Sequence, residues 1–242
     1  MPVSLKHICL VRSRQELAAL PAGKLMINTI NAHSYNVAQR DERFAQALQS
    51  GELVPDGASI VKACRWLDAE YQPKERIAGW DLFQFEMKRI GEGATVMFMG
   101  SSPNVLQRIE ERMRQDYPTL HVVTYSPPYK PTFDEEENRQ ILDAIKEANP
   151  DLLWIGMTAP KQEKWVYDNW ARLDVHCHVG AIGAVFDFYA GTLRRAPLWW
   201  QSHGLEWLYR LLREPRRMWR RYLVGNTKFI YYIMKEKLSK AQ

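Results

Sequence analysis

"ATVMFMGSSPNVLQRIEERMRQD", residues 94–116, decides the fold. An apolar run ends at Gly100, a Ser-Ser pair follows, and Pro103 then opens a segment in which Val105, Leu106, Ile109 and Met113 recur at helical spacing. Proline suits the first turn of a helix because the N–H it lacks has no partner there. The stretch therefore reads as strand, tight turn and helix.

The same grammar extends outward in both directions. "KLMINTI" (24–30), "HVVTY" (121–125), "DLLWIGM" (151–157) and "VHCHVGAIGAVF" (175–186) are short apolar runs closed by Gly, Pro or polar residues. Between them "RDERFAQALQSG" (40–51), "DEEENRQILDAIKEA" (134–148) and "PKQEKWVYDNWARL" (160–173) carry helical spacing. Strands alternating with helices predict an α/β fold: a Rossmann-like, largely parallel sheet with helices on both faces. From about Leu198 the strand signal stops, and helices interrupted at Pro215 follow. The expected division is an α/β catalytic core over 1–197 and a helical basic appendage over 198–242. Removing the appendage is expected to leave the core folded.

Charge separates the same two parts. The whole chain of 242 residues carries +5, but residues 194–242 hold twelve Lys or Arg against three Asp or Glu, and the remainder is mildly acidic. "RLLREPRRMWRRYL" (210–223) alone contains six arginines. Such asymmetry implies an anionic partner. A 46% apolar, 25% charged composition is that of a globular protein. No secretory leader or membrane-spanning run is legible, and three widely spaced cysteines fit neither a disulfide framework nor a thiolate zinc site. The expected compartment is the cytoplasm.

In parallel sheets, ligands collect beyond the carboxyl ends of the strands, and the unusual residues of this chain follow its strands. "NTINAHS" (28–34) places Thr29, Asn31, His33 and Ser34 at a strand-to-helix junction, where Asn and Ser also serve as plain helix caps. "VPDGASIV" (54–61) offers Asp56 as a general base, although Pro-Asp-Gly spacing by itself favours a turn or a cap of the next helix. "ERIAGWDLF" (75–83) supplies Arg76 as an anion contact and Asp81 as a first-turn acid. Gly100, Ser101 and Ser102 precede a helix start whose N–H groups suit phosphate. Lys161, Gln162 and Glu163 crowd another, and a cation there opposes the helix dipole and invites an anion. His176 and His178, two apart, would share one face of a strand, but no third metal ligand is evident.

Taken in order, "TIN", "PDG", "RIAGWDL", "GSSPNVL", "APKQE", "GAVFDFYAG…RRAP" and "GLEWLYRLLREPRR" resemble the successive signatures of the WecG/TagA/CpsF glycosyltransferases, glycosyltransferase family 26. The resemblance runs from about residue 25 to 223. It implies inverting transfer of a hexose or N-acetylhexosamine from a UDP-sugar to a polyprenyl-diphosphate-linked sugar, in building cell-surface polysaccharide or wall polymers. It further implies peripheral binding at the inner face of the cell membrane, without metal or other cofactor. Carried onto this chain, Asp56 is the base, and Thr29, Arg76 and Gln162 are site residues. Arginines closing over the diphosphate come from Arg210, Arg213, Arg216, Arg217, Arg220 and Arg221.

Single displacement at an anomeric carbon needs one base for the acceptor hydroxyl and positive or hydrogen-bonding groups for the departing UDP. No Asp-x-Asp pair is present to hold a divalent ion, so the diphosphate is expected to meet arginines and helix N-termini. Arg210 and at least one of Arg216, Arg217 and Arg220 are expected to face UDP. Lys235, Lys237 and Lys240 are expected to face anionic lipid headgroups. Two other classes share parts of this pattern. A nucleic-acid-binding module would use the same Arg and aromatic mixture, and a nicotinamide oxidoreductase the same layout, but its glycine fingerprint is missing. Nucleic acid is therefore not an expected partner, and a homo-oligomer is compatible with the sequence.

Overall fold

The computed structural model describes residues 3–239. The chain runs α1 (Arg14–Ala18), β1 (Leu25–Ile30), α2 (Ala32–Ala38), α3 (Glu42–Gln49), β2 (Glu52–Pro55), α4 (Ala58–Leu67) and α5 (Gly79–Arg89). It continues with β3 (Thr95–Gly100), α6 (Pro103–Asp116), β4 (His121–Tyr125), α7 (Glu135–Ala148), β5 (Leu152–Gly156), α8 (Lys161–Asn169), β6 (His178–Ala181) and α9 (Ala184–Tyr189). The tail holds α10 (Leu198–Ser202), α11 (Glu206–Arg213), α12 (Pro215–Trp219), a π-helical stretch (Arg220–Val224) and α13 (Gly225–Leu238).

The six strands form one sheet in the order β2-β1-β6-β5-β3-β4, and every pairing is parallel. Alternating side chains go to opposite faces. Val96 and Phe98 pack with Phe83, Trp154 and Phe186 against α5, α6 and α9, while Met97 and Met99 pack with Ile155 and Trp165 against α7 and α8. Both faces are covered, which is why the strands read as unbroken apolar runs. Trp154 stands beside Gly180 across the β5–β6 ladder. A Cβ on Gly180 would lie 2.1 Å from the Trp154 ring, so glycine is what admits the indole.

Helix starts follow the punctuation. Pro103 is the first residue of α6, and the Ser102 hydroxyl accepts from the Val105 N–H at 3.4 Å. Asp134 and Glu137 form a reciprocal capping box at α7. The run 175–186 departs from the expected single strand. Only His178–Ala181 pairs, and Gly183 then turns the chain into α9. The expected histidine pair separates with it: His176 is exposed, whereas buried His178 faces two acceptors, Glu86 at 3.0 Å and the Pro21 carbonyl at 2.9 Å. Burial opposes its protonation, but those two acceptors prevail and raise its pKa.

The last helix is not loosely attached. Phe229 and Ile233 of α13 are buried in one cluster with Tyr35, Phe44, Leu53 and Ile60. Tyr35 meets the Phe229 ring edge-on, 5.4 Å between centroids. Glu236 accepts hydrogen bonds from the Ser4 hydroxyl (2.6 Å), the Lys6 N–H (2.8 Å) and the Tyr35 hydroxyl (2.7 Å). A chain cut at Leu198 would therefore bare part of the core and strand three polar partners. Truncation is therefore expected to cost stability, against the reading that the core stands intact without the tail.

Candidate active site

All six strands end along one edge of the sheet, and the segments leaving β1, β2, β3, β5 and β6 carry most of the candidate residues. At the end of β1, Asn31 caps α2: its side-chain oxygen accepts from the His33 and Ser34 N–H groups at 3.0 and 3.2 Å. The Ser34 hydroxyl accepts from the Asn31 N–H, completing a capping box. Because the Asn31 oxygen is committed to the cap, its amide nitrogen must point away, and it donates to Asp56 at 3.2 Å. Asn31 thus caps α2 and reaches Asp56 at once.

Asp56 does not cap the helix that follows it. Gly57 is the N-cap of α4, with no side-chain cap bond. The Asp56 carboxylate instead accepts from Asn31 and from the Gly79 N–H at 3.1 Å, the first residue of α5. A second bond, Ile77 N–H to the Pro55 carbonyl at 3.0 Å, ties the loop carrying Arg76 to the same turn. Asp56 is half-buried, and each carboxylate oxygen keeps a further lone pair. Asp81 is a first-turn acid as expected, accepting from the Ala78 N–H at 3.0 Å.

Arg76 is engaged by the tail. Its guanidinium donates to Glu206 of α11 at 2.5 Å, and Arg195 approaches the other Glu206 oxygen at 3.4 Å. All three side chains are three-quarters or more shielded. Arg195 also lies over the Trp80 ring, 5.6 Å from its centroid. Neither Arg195 nor Glu206 stood among the candidates from sequence, although "RRAP" and "GLEWLYRLLREP" contain them. Nearby, Gly204 has φ +69°, and a Cβ there would sit 3.3 Å from that of Ala58, so the tail presses on the turn after Asp56.

Gln162 and Glu163 form a second buried unit at the start of α8, just after the cis Ala159–Pro160 bond. The Gln162 oxygen accepts from the Gly183 N–H at 3.2 Å, and its amide nitrogen donates to Glu163 at 2.9 Å. The other Glu163 oxygen is buried with no hydrogen-bond partner among the described residues. Burial pushes the Glu163 carboxyl up to about 7, against the hydrogen bond from Gln162. A carboxyl whose pKa is raised on folding binds more protons in the native state, so it costs stability progressively as pH rises from the unfolded value toward 7. Glu163→Gln is therefore expected to gain stability over the parent between about pH 4.5 and 7, with a constant advantage above that. Urea unfolding of both proteins across pH 4–8 checks this. A pH-independent difference would contradict it.

The remaining candidates divide. Thr29 is half-buried near the end of β1. Gly100 has φ +116°, and a Cβ there would lie 2.6 Å from the Gly156 carbonyl oxygen; Ser101 follows at φ +58°. The Ser101 N–H donates to that same carbonyl at 2.9 Å, and the Ser101 carbonyl accepts from the Ser126 hydroxyl at 2.9 Å. This turn is thus closed on itself more than a phosphate cradle requires. Lys161 reaches the loop after β4: its ammonium donates to the Lys130 carbonyl at 2.5 Å and lies 3.8 Å from the Phe133 ring centroid. Burial lowers its pKa.

In the tail, Arg210 lies over the Phe188 ring at 5.8 Å, Arg216 is exposed, and exposed Arg220 stacks on Trp219 at 5.2 Å. The Arg217 side chain and Lys240 lie outside the described residues. Lys237 is paired with Asp68 at 2.8 Å and with the Trp66 carbonyl at 2.7 Å. Its ammonium thus already has two partners on the α4 side. His33, at the start of α2, is held neutral: burial first, and then the nearby Arg221 charge, push its pKa down to about 4.

The model of the WecG/TagA/CpsF glycosyl transferase family matches residues 5–242 of this chain. The chain is 28% identical over 207 residues to an N-acetylglucosaminyldiphosphoundecaprenol N-acetyl-beta-D-mannosaminyltransferase of Bacillus spizizenii, covering 85% of this chain and 77% of that protein. It is also 28% identical over 217 residues to the protein of the same name from Bacillus subtilis, covering 89% and 81%.

Proposed function

Because the chain belongs to the WecG/TagA/CpsF glycosyl transferase family, and is thus a glycosyltransferase, we propose that it moves an N-acetylmannosaminyl or related hexosyl group from a UDP-sugar to a polyprenyl-diphosphate-linked sugar. The observation that carries this reading is the pair of relatives, both named for transfer to N-acetylglucosaminyl-diphospho-undecaprenol. The chemistry fits the strand-end edge. Asp56 takes the proton of the acceptor hydroxyl as its oxygen bonds to the anomeric carbon. The bond from that carbon to UDP breaks on the opposite side, which inverts the centre. Arg76 meets the charge developing on the diphosphate. Thr29 and Gln162 supply a hydroxyl and an amide to orient the sugar, and Asn31 aims the carboxylate.

The tail gives this reading a membrane. No helix among the described residues is long and apolar enough to cross a bilayer, but exposed apolar side chains concentrate after residue 197. Ile230, Tyr231, Met234 and Leu238 form one exposed stripe on α13, and Leu198, Trp199, Leu212 and Trp219 are exposed before it. With the basic charge of this segment, that pattern suits an interfacial helix on an anionic inner leaflet. The proposed division of labour keeps 1–197 as catalytic core and gives 198–242 the docking role.

The test is a panel of UDP-sugars offered with a synthetic N-acetylglucosaminyl-diphosphate lipid, products read by mass spectrometry. One donor, UDP-N-acetylmannosamine foremost, is expected to give a disaccharide lipid with an inverted linkage. A folded protein that transfers none of the panel, and binds RNA salt-dependently without binding UDP, would replace this reading with the nucleic-acid one.

A further inference from the structure

We propose that Arg76 and Arg195 together form one diphosphate subsite, and that the Glu206 carboxylate is its internal counter-ion, which an arriving diphosphate displaces, loosening α11 from the core. The identity of the diphosphate as that of a UDP-sugar rests on the reading above. The subsite itself rests on geometry.

One carboxylate is shared by two guanidiniums, at 2.5 Å from Arg76 and 3.4 Å from Arg195. Two fixed cations and one anion leave this cluster with a net positive charge. Arg195 is held between Glu206 and the face of Trp80, and Arg76 is held by a loop pinned to Pro55 and Asp56. Both guanidiniums are therefore placed by the core. Glu206 is not: it sits on the first turn of α11, in the basic tail. Planar guanidinium forks match phosphate oxygens two at a time. A diphosphate brings more charge and more acceptor oxygens than a single carboxylate, so it wins the exchange, and Glu206 is then repelled. The contact that releases is the polar link between α11 and the loop beside the proposed base.

Linkage makes the coupling reciprocal: whatever frees α11 must strengthen anion binding by the same factor. Arg195 thereby becomes a binding residue, and Glu206 a residue that sets the affinity of the subsite without belonging to it.

Calorimetry of the full chain with UDP, uridine and inorganic pyrophosphate, paired with hydrogen exchange over residues 205–213, tests this. Glu206→Gln is expected to tighten UDP and pyrophosphate by about tenfold, leaving any uridine binding unchanged. Arg195→Gln is expected to weaken both by at least about tenfold, with Arg195→Lys intermediate should the first variant fold poorly. In the parent protein, UDP is expected to raise exchange in α11. In Glu206→Gln, exchange is expected to be raised already. Unchanged or weaker binding in Glu206→Gln would make Glu206 a brace and overturn the exchange. Unchanged binding in both Arg195 variants would remove that residue. Pyrophosphate binding with this pattern, but no UDP binding, keeps the subsite and overturns the UDP-donor reading. A folded parent that binds neither overturns the subsite.

Discussion

Asp56→Asn is expected to lower turnover by about a hundredfold to ten-thousandfold, the usual contribution of a general base, while UDP affinity changes little. On the proposed mechanism the base acts on the acceptor hydroxyl, and the nucleotide is held elsewhere. The hydrogen-bond frame sharpens this expectation. The Asp56 carboxylate accepts from Asn31 and from the Gly79 N–H. An asparagine has one oxygen for these two donors. Asn31 cannot turn to help, because its own oxygen caps α2. One of the two bonds is therefore lost, a cost of about 1–3 kcal/mol in stability where the group is buried. Kinetics with saturating acceptor, UDP calorimetry and urea unfolding on the same preparation separate the two effects. Turnover within a few-fold of the parent would leave Asp56 as the structural link between β2 and α5 and remove it as the base.

Replacing the α13 stripe with glutamine (Ile230→Gln, Tyr231→Gln, Met234→Gln, Leu238→Gln) is expected to cut binding to anionic vesicles by two to three orders of magnitude. Each of these exposed side chains contributes roughly 1 kcal/mol when it leaves water for the interface, about half its full burial value. Glutamine is a good helix former, and Phe229 and Ile233, which hold α13 to the core, are untouched. The fold and the turnover of a short, water-soluble acceptor should therefore survive, while turnover of a lipid acceptor in vesicles falls. Vesicle sedimentation and paired assays with the two acceptors measure it. Undiminished sedimentation would exclude α13 as the docking face.

How much of this was legible follows from distance along the chain. The β3-to-α6 unit reads directly because Gly100, Ser102 and Pro103 punctuate it within a few residues. β2 escapes notice because it has four residues, one of them Pro55 and one Glu52, too few for a pattern. The run 175–186 is apolar throughout, so periodicity cannot divide it, and only Gly183 marks where strand gives way to helix. For the site, spacing gave Asp56 no better than a turn. Its partners lie 25 residues before and 23 after, and nothing local announces either bond. Arg76 was legible as an anion contact, but its partner is 130 residues away. Lys161 shows the opposite case. Its position at a helix start is local, but the Lys130 carbonyl that satisfies it is not.

The bonds from Ser4 and Lys6 to Glu236 span 232 and 230 residues, and that span bears on how the protein is made. A chain leaving the ribosome can assemble β1 through α9 in order, as domains generally do. The layer of α2 and α4 stays open until α13 has emerged. Closing so long a loop comes late and slowly, so Ser4 and Lys6 meet α13 late in folding. A nascent chain stalled before residue 229 would carry the strand-end site but neither a sealed core nor a docking stripe. The sealed core and the proposed docking stripe thereby arrive together, on the same helix.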